Sequence, residues 1–335
     1  MDVLDANLII RSSDLVNFRV HKSLLAMTSP FFRDQLSRPQ HSDGESIDGL
    51  PVVQLSEDAE LLNSLISMLY PVHPVTPNSY DKVLYLLAAY QKYDMVQVQS
   101  SIRAEVNRGS FPAPVGTGAF RAYAIAYDKG LIPEMENAAR ITLDYPMTFE
   151  TLGEVLRYFD GCMLRDLFRL RKNRRDNLVT CLESFFEVDS QRPSSIWVGC
   201  PDLMHRRSSG FPYTPYTIPS WLYEVFSRNI NDLKLKIFTR PLTTPSTILE
   251  EYLTAIQAHD SCNFCLRVHA KKGSTFCAGL ERKLAQARDK VHTSADFKVL
   301  EGSPPCRWAV IVANPRAQLI QALGLGGPPD SVMLR

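Results

Sequence analysis

The chain has 335 residues, 45% of them hydrophobic and 10% aromatic, and a formal net charge of +1. That length points to two domains and that composition to a buried core, which excludes wholesale disorder. The balanced charge gives no global field for holding nucleic acid and leaves only a local patch to do so.

The opening run Met1, Asp2, Val3, Leu4, Asp5 lacks the basic start and long apolar stretch of a signal peptide. Nowhere do eighteen apolar residues run together, so no membrane-spanning helix is expected. Seven cysteines, an odd number placed mostly in the second half, read as free thiols or metal ligands rather than disulfides. The expectation is a soluble intracellular protein, cytoplasmic or nuclear, with neither membrane nor nucleic acid among its partners.

Leu8, Ile9 and Ile10 make a short apolar run that ends at Arg11 and Ser12, as in a buried strand. Ser13 and Asp14 supply a turn, after which Val16, Phe18 and Val20 alternate with Asn17 and Arg19, the period of a half-buried strand. The period changes at His21. Lys22 to Met27 holds good helix formers and neither Gly nor Pro. Ser29 is placed to cap a second helix that opens on Pro30, where a missing N–H costs nothing, and Phe31, Phe32 and Leu36 form its apolar side.

The string Phe18-x-Val20-His21-Lys22-x-Leu24-Leu25-Ala26-x-x-Ser29-x-Phe31-Phe32 resembles the signature of the BTB/POZ family. In that family these residues build the fold rather than a catalytic site, so a structural role for His21 agrees with the resemblance. Residues 37–50 read as a polar loop. Val52, Val53 and Leu55 read as a third strand. Ser56 is placed to cap the next helix, with Glu57 and Asp58 at its positive end; Leu61, Leu62, Leu65, Ile66 and Leu69 follow at helical spacing, and Pro71 stops it. Tyr80 to Tyr93 forms a further helix, and its stretch Leu86-Leu87-x-Ala89-x-x-Lys92-Tyr93-x-Met95 is similar to the late helix pair of BTB domains. Asp94 is placed to cap a last helix carrying Val98, Ile102 and Val106.

The resemblance implies an α+β BTB/POZ fold, a small three-stranded sheet covered by helices, over residues 5–108. Two departures matter. Asn7 stands where the family usually has an acid, which in dimeric members contributes to a charged pocket near the dimer interface. The chain also starts almost at its first strand, without the extension that some members exchange between protomers.

Phe111 to Gly118, with two prolines and two glycines, marks the domain boundary. A mostly α-helical region is expected over 115–298. Phe120, Tyr123 and Tyr127 share a helix face that Gly130 ends. Pro133 opens a helix reaching about Leu143, and Thr148 caps one carrying Leu152, Val155, Leu156 and Phe159. A longer helix runs from Met163, through Leu164, Leu167 and Phe168, toward Phe186. Arg165, Arg169, Arg171, Lys172, Arg174 and Arg175 form a basic cluster on it. That cluster reads either as a nuclear-localisation or anion-binding patch or as a solvated helix face, and the neutral net charge favours the solvated face.

Residues 189–220 read as a long irregular connection with Trp197 and Trp221 pinning its ends. Asn231 to Phe238 fits strand or helix. Ser246 caps a helix through Tyr252 and Ile256 toward His269, and Ser274 to Val291 makes another. The tail, residues 299–335, is expected to be flexible apart from Trp308 to Val312. The whole arrangement is similar to the BTB proteins of mushroom-forming fungi.

One segment offers chemistry: His259-x2-Cys262-x2-Cys265-x3-His269-x7-Cys277, with Cys200 and His205 upstream. Cys262, Cys265 and Cys277, joined by Cys200 or His269, supply the ligand types of a structural zinc. The competing reading is buried reduced thiols, because Cys262, Cys265 and His269 fall on one helix face and no second Cys-x2-Cys pair exists. Phosphate-loop, dinucleotide, nucleophile-elbow and metalloprotease motifs are absent, so no residue is assigned to catalysis, cofactor or metal. The resulting expectation is a non-enzymatic protein-interaction protein, self-associating or adaptor-binding. As alternatives the resemblance offers a substrate adaptor of a cullin-type ubiquitin ligase and a transcription or chromatin regulator. Cullin adaptors often carry a hydrophobic-x-acidic motif before the third strand, whereas Leu36-Ser37-Arg38 ends in the wrong charge.

Overall fold

The computed structural model describes residues 5–37, 45–70, 77–111, 113–184, 220–236, 245–258 and 263–289. Trp197, Cys200, His205, His259, Cys262 and the tail 299–335 lie outside them. The described residues fall into two compact units, one within Met1–Ala138 and one within Ala139–Ser303.

The first unit opens with β1 (Leu8–Arg11) and β2 (Asn17–Val20), an antiparallel hairpin with Leu8 opposite Val20. Leu8, Ile9 and Ile10 are all buried, whereas in β2 only Phe18 and Val20 are, as their alternation requires. Helices α1 (Lys22–Thr28) and α2 (Pro30–Ser37) follow. They carry the chain to β4 (Leu50–Gln54), which pairs parallel with β1, a pairing that a tight turn cannot connect.

The sheet has a fourth strand that the polar segment 37–50 does not announce: β3 (Ser46–Ile47), giving the order β2-β1-β4-β3. Asp48 and Gly49, at φ 50° and 77°, form the two-residue turn into β4, the Asp-Gly chemistry that such hairpins favour.

Four helices cover the sheet or extend its core: α3 (Ala59–Ser67), α4 (Tyr80–Lys92), α5 (Val96–Asn107) and α6 (Thr117–Lys129). The cap of α3 is Asp58, not Ser56, its carboxylate accepting from Leu61 N at 2.8 Å. Helix α3 ends at Ser67, before Pro71 is reached. α4 touches α3, α5 and α6, which is why Val83, Leu84, Leu86, Leu87 and Tyr90 are all buried although they span more than one face. Each such leucine contributes about 2 kcal/mol by leaving water. Asp94 caps nothing: it adopts φ 54° at the end of α4, and Met95 occupies the cap position of α5. Gly130 ends α6 in the left-handed region, as its position in the sequence implies. α7 (Ile132–Thr142) follows, and Arg103 of α5 grips Glu134 through Nε and Nη2 at 2.8 and 3.2 Å.

The second unit is helical throughout its described residues. Thr148 caps α8 (Phe149–Leu152), but Gly153, at φ 39°, breaks the expected single helix and a 3-10 turn (Gly153–Tyr158) follows. Asp160 caps the long α9 (Gly161–Glu183). It packs against α10 (Ser220–Leu235) and α12 (Asn263–Asp289), with α11 (Pro245–Ala258) touching both of those. The ambiguous stretch from Asn231 is therefore helix up to Leu235. α11 begins at Pro245, a residue before Ser246, and stops at Ala258. α12 then runs unbroken past Ser274, where the sequence places a new start. Leu167, Leu182, Leu222, Phe226, Ile248, Tyr252, Leu280 and Leu284 form the core of this unit.

Candidate functional site

The corner where β2 turns into α1 holds the most informative polar residues of the first unit. Asn7 accepts a 2.7 Å hydrogen bond at Oδ1 from the backbone N–H of Lys22, the first residue of α1. It thus caps α1 from the residue just before β1, a duty that His21 at the cap position does not perform. An amide does this as well as a carboxylate but adds no charge to the helix end. The nearby negative charge comes instead from Asp5, whose carboxylate lies 3.1 Å from His21 Nε2. On its other side, His21 Nδ1 is 3.2 Å from the Tyr70 hydroxyl, which also accepts from the His21 backbone N–H at 3.1 Å.

Ser29 is buried and bonded twice. Its hydroxyl donates to the Tyr93 carbonyl and accepts from Phe32 N at 3.0 Å, capping α2 and tying it to the end of α4. The Phe32 ring stacks on Tyr93 with centroids 5.0 Å apart. Tyr93 in turn donates to Glu57, which also receives Lys92 Nζ at 2.8 Å. Burial and the adjacent Glu57 carboxylate push the Tyr93 phenol far above its ordinary range. Ser29, Phe32, Tyr93, Glu57 and Lys92 are thus joined into one structural network.

The hairpin tip is tied down in a way that sequence reading overlooks. Asp14 Oδ1 accepts from Ala59 N at 2.8 Å, adding a second cap to α3, and Ser13 N donates to the Glu57 carbonyl at 2.8 Å. Between them the backbone holds Leu15 at φ 67°, a region that costs a branched residue about 1–2 kcal/mol. Leu15 is 68% exposed, so packing returns little of that cost.

In the second unit the basic cluster divides. Arg171 and Arg174 are buried, 1% and 2% exposed, and therefore belong to neither a solvated face nor a surface patch. Arg171 Nη2 donates to the carbonyls of Thr142, at 2.8 Å, and Tyr145, which places a cation at the negative end of α7. Arg174 pairs with Asp144 at 3.3 Å. Burial draws the Arg171 pKa down to about 10; neighbouring Arg174 pushes the same way and Asp144 opposes it. Arg165 and Arg175 pair with Asp166 and Asp176, and Arg169 and Lys172 are exposed. The clue lay in the spacing: Met163, Leu167, Leu170, Arg171, Arg174, Leu178 and Leu182 share the buried stripe of α9.

Of the cysteine segment, Cys265, His269 and Cys277 lie on α12. Cys265 is buried, while Cys277 is partly buried and its thiol is pushed up chiefly by that burial. His269 Nδ1 is 3.0 Å from the hydroxyl of Tyr252, a fully buried ring flanked by Trp221 and Phe276. Among the described residues no group of three His, Cys, Asp or Glu side chains is arranged to hold a metal. Cys181, Cys265 and Cys277 form no disulfide, but Cys162 is disulfide-bonded, against the expectation for this chain.

Among the described residues no helix is long and apolar enough to cross a membrane. No curated protein matches the chain. Residues 3–108 match the BTB/POZ domain, which generally mediates protein–protein interaction, and the small four-stranded sheet with its helices agrees with that match.

Proposed function

We propose that the chain is a non-enzymatic interaction protein whose BTB domain either self-associates or holds an adaptor partner. The match over residues 3–108 carries this reading. Its support is that Asn7, His21 and Ser29 of the signature corner are committed to capping and packing bonds. In this proposal residues 5–108 are the interaction module, 115–298 a helical region that selects the partner, and 299–335 a flexible tail. The protein acts inside the cell, without cofactor, membrane or nucleic acid, as one of the BTB proteins typical of mushroom-forming fungi.

Light scattering of the full chain over a range of micromolar concentrations tests the self-association arm, and a dimer or larger species supports it. If the chain stays monomeric, affinity purification from native cells should recover a protein at near-stoichiometric level. A monomer that recovers no such partner overturns the proposal. The same purification decides the ubiquitin-ligase reading, which ends if no cullin is recovered at that level. For a chromatin role, the burial of Arg171 and Arg174 leaves four of the six cations to serve as a nuclear signal.

A further inference from the structure

We draw no further inference here: the strongest candidate, the exposed Leu15–Val16 tip of the β1–β2 hairpin with Leu15 held at positive φ, carries nothing because no feature of the structure shows what covers it.

Discussion

The two units are stabilised at different kinds of place. In the first, distant segments meet through polar side chains at element ends: Asn7 on α1, Ser29 between α2 and α4, and Asp14 on α3, which Asp58 also caps locally. In the second, the decisive polar group lies in the middle of a helix, where Arg171 reaches the end of another helix from within an apolar stripe. At Asn7, Asp14 and Asp58 a cap substitution removes one exposed bond, and only at Ser29 are the bonds buried. Substituting the mid-helix arginine removes the donor of the buried Thr142 carbonyl and the part-buried Tyr145 carbonyl and leaves a void.

Arg171→Ala is accordingly the largest expected effect, a loss of about 2–4 kcal/mol confined to the second unit. Denaturant unfolding followed by hydrogen exchange should show helices α9 to α12 opening early while β1, β4 and α4 keep their protection. Arg169→Ala and Lys172→Ala serve as controls and should fall within about 0.5 kcal/mol of the parent chain. If all three behave alike, the contrast between buried and exposed cations fails.

Asn7→Ala tests the other side of the comparison, with an expected loss of about 1 kcal/mol in the first unit alone. Asn7→Asp should keep the bond and add about 0.3–1 kcal/mol from the helix dipole, a gain that fades with added salt in thermal melts. Leu15→Gly should stabilise the hairpin by up to about 1 kcal/mol, because relief of the left-handed strain outweighs the extra freedom of the unfolded chain. An unchanged or lowered Tm would mean that Leu15 packs in solution more than its exposure indicates.

The smallest effect concerns acid. Asp14 titrates below its ordinary value because Ser12 and the backbone N–H groups of Asp14 and Ala59 bond its charged form. A depressed folded-state pKa contributes stability that is fully present above the unfolded pKa of about 3.9 and is lost as pH falls through the folded value. Asp14→Asn should flatten the acid limb of the stability curve of the first unit by lowering its neutral plateau, and leave the stability below the folded-state value nearly unchanged.

What was legible follows the same division. Strand alternation at Phe18 and Val20, the Ser29-Pro30 helix start and the Gly130 stop are local signals, and each element appears where they stand. Ser56 is misread because Ser56, Glu57 and Asp58 crowd the start of α3, and Asp94 because the backbone turns there at φ 54° and leaves Met95 at the cap position of α5. The strand at Ser46–Ile47 is only two residues long, too short for a period, although its Asp48-Gly49 turn was readable. The bond from Asn7 to Lys22 and the one from Arg171 to Thr142 were not, since neither spacing nor composition states which distant backbone group a side chain will meet.

The division of the basic cluster also has a consequence for what the chain can offer to polyanions. In an unfolded chain the six cations between Arg165 and Arg175 lie together on one accessible segment, whereas folding removes Arg171 and Arg174 from it. A ligand that needs all six charges therefore binds the unfolded second unit better than the folded one, and by linkage it pulls the equilibrium toward unfolding. Heparin-like polymers would then act on this protein as mild denaturants of one half, and an excised 165–175 peptide would overstate the affinity of the intact molecule.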